Sequence, residues 1–468
     1  MPQLAKKMGS VSFEYIAQTE RERVEIEKAG GRVVLVLDTE VRLRLKENTP
    51  KSRWQEPSDF RSVTKFPWSP ILVDRYLVNF EPHLREKIAA VVFDAVEQIF
   101  SAGGYAAFLS EPVAIFPTQV MLYFCKKNNI KPLLWAGTFV PGYLNFSSEL
   151  SISKSSSRLE EKRIDVLEIS SNIEKYIDGI KKDNAGPAYH PKFSGQKNRA
   201  ADYFQQRRGA RARVVEAGPL GVSIQIARLL RALLARLLFP RIGGYMVAGA
   251  VAEHWLYLKC LIASKKGYDG LPEGLNAENI FFPVQFEPEA SLLYAAPNFR
   301  DQVYLVEKII QSLPPGRVLW VKEHPNQYGM LKQAPWKQLK KKYENLRFIH
   351  GRESGRELIK KCVLGVSITS SAGMDALILG RKMLVCGDVY YRNFPGSCPI
   401  DGYADLAKEL NNLKNYEFSG DSNAIAKELA SIGYDSYFGT ISPSRILFEE
   451  ENIKAVAFAL NSQIELES

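Results

Sequence analysis

The sequence Val-Leu-Trp-Val-Lys-Glu-His-Pro occupies residues 318–325, and Val-Leu-Gly-Val-Ser-Ile-Thr-Ser-Ser-Ala-Gly-Met-Asp-Ala occupies residues 363–376. Each stretch begins with an apolar run that is typical of a buried parallel strand, and then enters a polar turn and a helical pattern. Ligands of open α/β sheets bind outside the carboxyl ends of the strands, where such turns lie. The two stretches therefore predict an α/β sheet with a phosphate-binding edge.

The alternation of strand and helix continues through both halves of the chain and predicts a doubly wound sheet in each. In the first half it includes a strand at 31–40, helices at 85–100 and 116–127, and strands at 106–109 and 130–135. We predict a first domain at 1–264 with a helical insertion at about 150–262. A linker at 265–279, a second domain at 280–445 and a C-terminal helical segment at 446–468 follow.

Composition limits the class of protein. The 468-residue chain is 46% hydrophobic and 24% charged, as in ordinary globular proteins. Its net charge of +10 favours anionic partners such as nucleotides, anionic glycans or lipid headgroups, although a lysine-rich surface explains the same balance. Five scattered cysteines without a Cys-x-x-Cys pair predict a reducing compartment. With no signal-peptide pattern and no apolar run of about eighteen residues, we expect a cytoplasmic protein without a membrane span.

The candidate phosphate edge contains a cation, an imidazole and a helix start. Lys322 and His324 can neutralise a phosphate, and Pro325 suits the first turn of a helix. The second stretch offers hydroxyl groups, a small residue and a possible ribose acceptor, namely Ser370, Ser371, Gly373 and Asp375. A helix N-terminus favours an anion through its unpaired N–H groups and its dipole.

Carboxylates follow other predicted strands. Gln285, Glu287 and Glu289 come after the first strand of the second domain and can orient a nucleotide or sugar, or Glu289 can simply begin a helix. In the first domain, Glu111 follows a strand where a nucleophile or general base is needed. Asp38 and Glu40 are its rivals, and Glu149 is a more distant one.

The segment Val222–Phe239 has the pattern of a basic amphipathic helix. Its leucines share one broad face, and Arg228, Arg231 and Arg236 lie opposite. Such a helix binds an anionic membrane interface, or packs its leucines on its own domain and leaves the arginines in water. Both interpretations remain open at this point.

Several motifs are missing from the sequence. It contains no Asp-x-Asp, which many metal-dependent sugar-nucleotide transferases use, no P-loop and no His-Glu-x-x-His. The five histidines show no metal-ligand spacing. We therefore expect neither a metal ion nor another cofactor.

These residues of the second domain resemble the bacterial capsule polysaccharide biosynthesis family, GT-B glycosyltransferases related to β-Kdo transferases that use CMP-sugars. The similar segments are 282–291, 301–302, 321–325 and 369–377. The family's Gln-Pro-Glu reads Glu287-Pro288-Glu289 here, and its His-Pro pair is intact. A looser similarity around residues 109–111, 129–130 and 141–143 favours Glu111 as the family's cleft carboxylate.

The resemblance implies two Rossmann-like domains that face each other across a cleft, with the donor held by the second domain and a C-terminal helix that returns to the first. It implies transfer of an acidic sugar, Kdo or a sialic-acid-like ulosonate, from a CMP-sugar to a lipid-linked surface glycan. We expect no nucleic-acid partner. Glu111 acts either as the nucleophile of a retaining reaction, our first choice, or as the base of an inverting one. The alternatives are a UDP-sugar or CDP-alcohol donor, and a scaffold without catalytic activity that binds glycan or lipid.

Overall fold

The protein is described here from a computed structural model. The structure describes residues 2–9, 11–46, 57–64, 74–111, 115–137, 142–148, 166–182, 219–238, 250–263, 267–273, 276–287, 289–325, 327–412, 420–434, 436–441 and 447–465. The predicted candidate Glu149 lies outside these residues, as does the side chain of Arg236.

Twelve strands are present in the described residues. They are β1 (Glu14–Ala17), β2 (Arg32–Val36), β3 (Ala107–Ser110), β4 (Lys131–Gly137), β5 (Tyr143–Ser147), β6 (Asn276–Pro283), β7 (Val318–Lys322), β8 (Leu346–Ile349), β9 (Cys362–Ser367), β10 (Lys382–Val385), β11 (Ser397–Pro399) and β12 (Tyr437–Phe438).

Nine α-helices are described in the first half. They are α1 (Pro2–Lys7), α2 (Glu20–Lys28), α3 (Leu37–Lys46), α4 (Phe60–Thr64), α5 (Pro82–Ser101), α6 (Phe116–Lys127), α7 (Val166–Lys181), α8 (Pro219–Leu238) and α9 (Ala250–Ala263). Those of the second half are α10 (Ala290–Tyr294), α11 (Gln302–Ser312), α12 (Ala334–Lys342), α13 (Gly355–Lys360), α14 (Ser371–Ile378), α15 (Tyr403–Asn411), α16 (Ser422–Tyr434) and α17 (Glu450–Glu465).

The second half is built on one six-stranded parallel sheet in the order β11-β10-β9-β6-β7-β8. The chain runs from β6 outward to β8, and then returns to the other side of β6 for β9, β10 and β11. This is the strand order of the Rossmann fold, and its reversal between β6 and β9 marks the usual ligand-binding crevice. Buried aliphatic and aromatic side chains fill both faces of the sheet. The predicted α/β class with a Rossmann-like sheet is confirmed.

The described strands of the first half form two sheets. β1 and β2 pair in parallel, whereas β3, β4, β5 and β12 form a four-stranded sheet. Within it β3 and β4 are parallel, but β5 is antiparallel to both of its neighbours. Only residues 138–142 join β4 to β5, and a parallel crossover needs about a dozen residues or more. This short connection explains why the first half departs from a single parallel sheet.

Two predicted boundaries are wrong in detail. The strand predicted at 31–40 ends at Val36, and α3 starts directly at Leu37. Asp38 and Glu40 therefore lie in the first turn of a helix, where the helix dipole favours acidic side chains. The linker predicted at 265–279 is shorter, because β6 already begins at Asn276.

Two helices pack across the boundary between the halves. α7 precedes the predicted linker, yet its isoleucines at helical spacing join a buried cluster with Ile425 and Leu429 of α16. In return, α17 packs on α1 and β12, and Leu460 lies in one cluster with Leu133 and Leu144 of the first-half sheet. The Lys131 ammonium also donates to the Gln463 carbonyl at 2.8 Å. The C-terminal helix is thus part of the first half in space.

Helices α8 and α9 pack on each other with a polar contact between them. The buried Gln225 amide donates through Nε2 to the His254 carbonyl at 3.0 Å. The large apolar side chains on the other sides of α8 are exposed, namely Leu220, Ile224, Ile226, Leu230, Leu233, Leu234 and Leu237. No described helix combines the length and apolarity needed to cross a membrane.

Leu460→Ala tests the attachment of α17. Leu460 is 1% exposed, so its truncation should lower the free energy of unfolding by about 2–5 kcal/mol. Phe458→Ala on the same helix is the matched control, because Phe458 is 69% exposed, and its effect should stay within about 0.5 kcal/mol. Urea unfolding of both variants measures the difference. Equal small effects would mean that α17 does not stabilise the fold.

Candidate functional site

The site lies where the strand order reverses, between the carboxyl ends of β6 and β9. Gln285 follows β6 and Thr369 follows β9, and the Gln285 Nε2 donates to the Thr369 hydroxyl. This contact joins the two turns across the crevice. The Thr369 oxygen accepts that bond, so its own hydrogen can still be donated to a ligand.

Gln285 carries a buried acceptor without a partner. The residue is only 5% exposed, and its Oε1 accepts no hydrogen bond from the described residues. A buried polar atom left unsatisfied costs about 1–3 kcal/mol of stability. Such a group at a ligand crevice indicates an atom that receives a hydrogen bond from a ligand hydroxyl or amino group.

Gln302 fixes the backbone of Gln285 from both sides. Its Oε1 accepts from the Gln285 N–H at 2.7 Å, and its Nε2 donates to the Gln285 carbonyl at 3.1 Å. The same Nε2 donates to the Glu287 carboxylate at 2.5 Å. Burial raises the pKa of Glu287, although the bond from Gln302 opposes this effect. Gln302 itself is 1% exposed, so the turn is held from within the core.

Gln327 holds the backbone of Glu287 in the way that Gln302 holds that of Gln285, and we call each pair of hydrogen bonds a clamp. Gln327 accepts from the Glu287 N–H at 2.9 Å and donates to the Glu287 carbonyl at 2.6 Å. Gln327 follows β7, so this clamp joins the turns after β6 and β7. Glu289 lies next at the N-terminal boundary of α10, where its side chain makes no capping hydrogen bond. Of the three predicted residues, Gln285 and Glu287 therefore have their backbone held by buried glutamines, and Glu289 lies at the start of α10.

His324 lies beside this turn. Its ring meets Phe286 edge to face with centroids 5.8 Å apart, and Pro325 follows half-buried in the next turn. The prediction that Pro325 lies in the first turn of a helix is wrong, since the next described α-helix, α12, begins at Ala334. Gly351, after β8, approaches the same place so closely that a Cβ there would lie 2.9 Å from the His324 carbonyl oxygen. The residue at 351 must therefore be glycine if the two turns are to pack.

Lys322 is not at the surface of the crevice. It is 7% exposed, and its ammonium donates to the carbonyls of Glu323 and Gly351 at 3.2 and 3.0 Å. Burial lowers its pKa to about 8, against the opposing effect of the Glu323 and Glu353 carboxylates. In this arrangement Lys322 ties the turns after β7 and β8 together beneath the site, a placement that its position in the sequence does not predict.

Glu323 is also part of this support. Its carboxylate, 1% exposed, accepts from the Tyr268 hydroxyl at 3.1 and 3.0 Å and from the Leu331 N–H at 3.1 Å. Burial raises its pKa. Tyr268 precedes β6, so the beginning of the predicted linker is fixed to the second half.

Tyr391 supports the serine-rich turn after β9 through hydrogen bonds of its buried hydroxyl. The Tyr391 hydroxyl donates to the Ser370 carbonyl and lies 3.1 Å from the Ser367 hydroxyl. Ser370 caps α14, because its Oγ accepts from the Ala372 N–H at 3.2 Å. A Cβ at Gly373 would overlap the Tyr391 hydroxyl, so Gly373 serves packing on the inner side of the helix. Ser371, in contrast, is exposed at the first position of α14.

Asp375 pairs with Arg356. The Arg356 Nε and the Asp375 Oδ2 are 2.9 Å apart, and both side chains are largely buried. The pair joins α13 to α14. A role of Asp375 toward a ribose hydroxyl therefore has to compete with this ion pair.

The first-half carboxylates have contrasting surroundings. Glu111 follows β3, is exposed, and makes no side-chain hydrogen bond with another described residue. Asp38 is 7% exposed in α3, with its N–H bonded to the Gln18 carbonyl at 3.1 Å. Glu40 pairs with Arg44 at 2.6 Å. Of the three, Glu111 has the most accessible carboxylate.

Sequence reasoning missed the residues that support the site. Gln327, Gly351 and Tyr391 were not predicted, because each acts through a neighbour that is distant in the chain. Gln327 had one usable signal, since a glutamine two residues after a His-Pro pair can reach the backbone of an adjacent strand end. The tyrosine and the glycine gave no such signal.

The fold and site define a Rossmann-type α/β protein with a polar ligand crevice at its switch point. Residues 269–398 match the family described as Capsule polysaccharide biosynthesis protein. The predicted resemblance to that family is confirmed for this segment, which holds most of the second-half sheet and the whole crevice.

Solved structures that align over longer stretches of the chain have low sequence identities and low TM-scores. KpsC, beta Kdo 2,7 transferase, from Thermosulfurimonas dismutans is 13% identical, with 79% of this chain and 89% of that chain covered and a TM-score of 0.33. KpsC, beta Kdo 2,4 transferase, from the same organism is 12% identical over 66% of this chain and 83% of that chain, with a TM-score of 0.27. A UDP-GlcNAc 2-epimerase from Methanocaldococcus jannaschii is 8% identical over 92% of this chain and 95% of that chain, with a TM-score of 0.26. No curated protein matches the sequence significantly.

His350, in the loop above Lys322, should make stability depend on pH. Its ring contacts Tyr268 and Tyr328 with centroids 4.7 and 5.0 Å apart, and its Nδ1 accepts from the Arg352 N–H at 3.0 Å. Burial, aided by nearby cations, lowers its pKa from 6.5 to about 4. The unfolded chain therefore takes up a proton first as the pH falls, and the free energy of unfolding should decrease between about pH 6.5 and pH 4.

The measurement is chemical unfolding at several pH values in that range for wild type and His350→Asn, which keeps an acceptor for the Arg352 N–H. The variant should lose part of the pH dependence. Parallel curves for the two proteins would show that His350 does not titrate in this way.

Proposed function

We propose that the chain is a glycosyltransferase of bacterial surface polysaccharide biosynthesis that transfers an acidic sugar from a CMP-sugar. Its donor site is the crevice between β6 and β9. The family match over residues 269–398 and the Rossmann strand order support this assignment. Kdo or a sialic-acid-like ulosonate is the proposed sugar, and a surface glycan such as capsule, O-antigen or a lipid-linked oligosaccharide is the proposed acceptor.

The observation that carries the proposal is the buried Gln285 Oε1, which has no hydrogen-bond donor among the described residues. In the proposed complex it accepts from a hydroxyl of the ribose or from the amino group of the base. The Thr369 hydroxyl lies next to it, and Ser371 is exposed at the start of α14. The N-terminus of a helix favours the phosphate through its dipole and remaining N–H groups.

Departure of CMP leaves negative charge on its phosphate. Preorganised donors at that position stabilise the charge without reorganisation. His324 at the end of β7 is the proposed proton donor to the departing phosphate. Lys322 supplies a positive charge from beneath the turn, and the proposed reaction uses no metal ion or other cofactor.

Glu111 is the proposed catalytic carboxylate, with Asp38 as the buried rival. In a retaining reaction the Glu111 oxygen bonds to the anomeric carbon as the bond to the CMP phosphate oxygen breaks. The acceptor oxygen then bonds to the anomeric carbon as Glu111 leaves as a carboxylate, and the acceptor's proton passes to water. In an inverting reaction the acceptor oxygen attacks directly, and Glu111 takes its proton. The stereochemistry of the product distinguishes these two courses.

Gln285→Leu and Glu111→Gln separate binding from chemistry. CMP should raise the melting temperature of wild type and of Glu111→Gln, but not of Gln285→Leu, which lacks the acceptor. Release of CMP from CMP-Kdo should be lost in both variants. Gln311→Leu is the matched control, since that glutamine is an exposed residue of α11, and it should retain both properties.

Stabilisation of wild type by UDP or CDP but not by CMP would contradict the CMP-sugar donor. Binding without any turnover would favour the scaffold alternative. Full turnover by Glu111→Gln would exclude Glu111 and leave Asp38 as the candidate.

We also propose that the enzyme works at the cytoplasmic face of the inner membrane, with α8 in the lipid interface. Its leucine side chains are exposed, with Leu237 at 75% and Leu220 at 65%. Arg231 is exposed on the same helix, and the sequence of α8 contains no acidic residue. An interfacial helix needs this combination of apolar area and positive charge. On α9, exposed Trp255 adds an aromatic side chain that suits the headgroup region.

A triple variant, Leu230→Gln, Leu234→Gln and Leu237→Gln, tests this contact. Wild type should float with liposomes that contain phosphatidylglycerol, and the triple variant should not. Leu43→Gln, at an exposed leucine of α3, should float like wild type. Raising the salt concentration should weaken flotation, because it screens the arginines. Unchanged flotation of the triple variant would remove α8 as the membrane contact, and its loss of self-association instead would identify a dimer face.

A further inference from the structure

A buried carboxylate joins the two halves at a place that the proposed mechanism does not use. Asp74, which precedes a short 3₁₀ turn at Leu77–Asn79, is 0% exposed. Its Oδ1 accepts from the Tyr76 N–H at 2.9 Å. Its Oδ2 accepts from the Phe116 N–H at 3.1 Å and from the Tyr294 hydroxyl at 3.3 Å. Tyr294 belongs to the second half, so one carboxylate oxygen bridges the halves.

Both ends of this bridge belong to elements of the proposed site. Phe116 is the first residue of α6, the helix that follows Glu111 after a short connection. Tyr294 is the last residue of α10, the helix that follows the clamped turn of Gln285 and Glu287. The bridge therefore connects the helix that follows the donor turn with the helix that follows the proposed catalytic carboxylate in the chain.

The second-half end of the bridge is fixed by a further contact. The Ala295 carbonyl, next to Tyr294, accepts from the Asp388 N–H at 2.7 Å. Asp388 follows β10, the strand beside β9. α10 is therefore held between the turn after β6 and the turn after β10. A ligand that binds in the crevice and restricts local opening of these turns would also restrict α10, and Tyr294 would transmit that restriction to Asp74.

The surroundings of Asp74 require a carboxylate at this position and a protonated hydroxyl on Tyr294. Burial raises the pKa of the carboxyl, while its N–H partners and Arg75 oppose the effect. Tyr294 is 5% exposed, and burial beside Asp74 raises the pKa of its phenol, so the hydroxyl keeps its proton. With all its partners being hydrogen-bond donors, Asp74 cannot be replaced by asparagine without placing an N–H₂ group opposite an N–H or O–H.

We propose that Asp74 and Tyr294 are a positioning pair that couples occupancy of the donor crevice to the placement of α6, and with it of Glu111. The inference rests on the proposed donor site. Neither side chain touches the sugar or the nucleotide in this proposal. Their function is to hold the donor turn and the first-half carboxylate at a fixed separation.

Tyr294→Phe removes only the hydroxyl that crosses between the halves. Hydrogen exchange of a peptide that covers residues 116–124 is the readout, with and without saturating CMP, while calorimetry measures CMP binding. In wild type, CMP should slow exchange at the start of α6. In Tyr294→Phe, CMP should still bind, but this protection should be lost. CMP release from CMP-Kdo should fall by about tenfold or more with an unchanged KM, since small misplacements of reacting groups cost up to ~10²-fold in rate.

Tyr304→Phe is the control, because Tyr304 is a 44% exposed tyrosine of α11 in the same half and should behave like wild type. Asp74→Asn should reproduce the loss of protection if Tyr294→Phe does. Equal protection by CMP in wild type and Tyr294→Phe would overturn the coupling while leaving the donor site intact. Absence of CMP binding to wild type would overturn the proposed donor site itself, and the coupling with it.

Discussion

The site depends on how the backbone beyond β6 is held. The Val284 N–H still pairs with the Lys322 carbonyl at 2.9 Å. Beyond Val284, the ladder of hydrogen bonds between β6 and β7 ends. From there two buried glutamines replace it, since Gln302 binds both polar groups of the Gln285 backbone and Gln327 binds both of Glu287. A side-chain amide offers the same donor and acceptor as a peptide group. The turn is thus rigid without a neighbouring strand, and it can face a ligand.

A rigid turn explains why an unsatisfied acceptor can persist. If the backbone of Gln285 were mobile, its Oε1 would move toward water or another donor, because leaving it unpaired costs stability. The two clamps and the bond to Thr369 prevent that motion. Beneath them, Lys322 and Glu323 use their charges to join the turns after β7 and β8. Lys322 and Glu323 therefore support the crevice from beneath, and the neutral side chains of Gln285 and Thr369 meet across it.

The apolar periods of the sequence predicted many elements, including α6 at its observed bounds, because burial imposes those periods directly. The sequence was a poorer guide to which side of a segment faces water. Lys322 has the sequence position of a phosphate ligand but is covered by the loop that contains Gly351. In α8 the period was recognised, yet only the structure shows that the leucines lie outward and Gln225 inward. The crossing of α7 and α17 depends on contacts between distant segments, which no local pattern encodes.

The most direct test of the central claim is a crystal structure of the protein with CMP. The account predicts the nucleotide between the ends of β6 and β9, with a ribose hydroxyl or the base amino group within hydrogen-bond distance of the Gln285 Oε1. The phosphate should lie at the start of α14, near Ser371. A nucleotide bound elsewhere with the Gln285 Oε1 still unpaired, or a phosphate bound away from α14, would contradict the account.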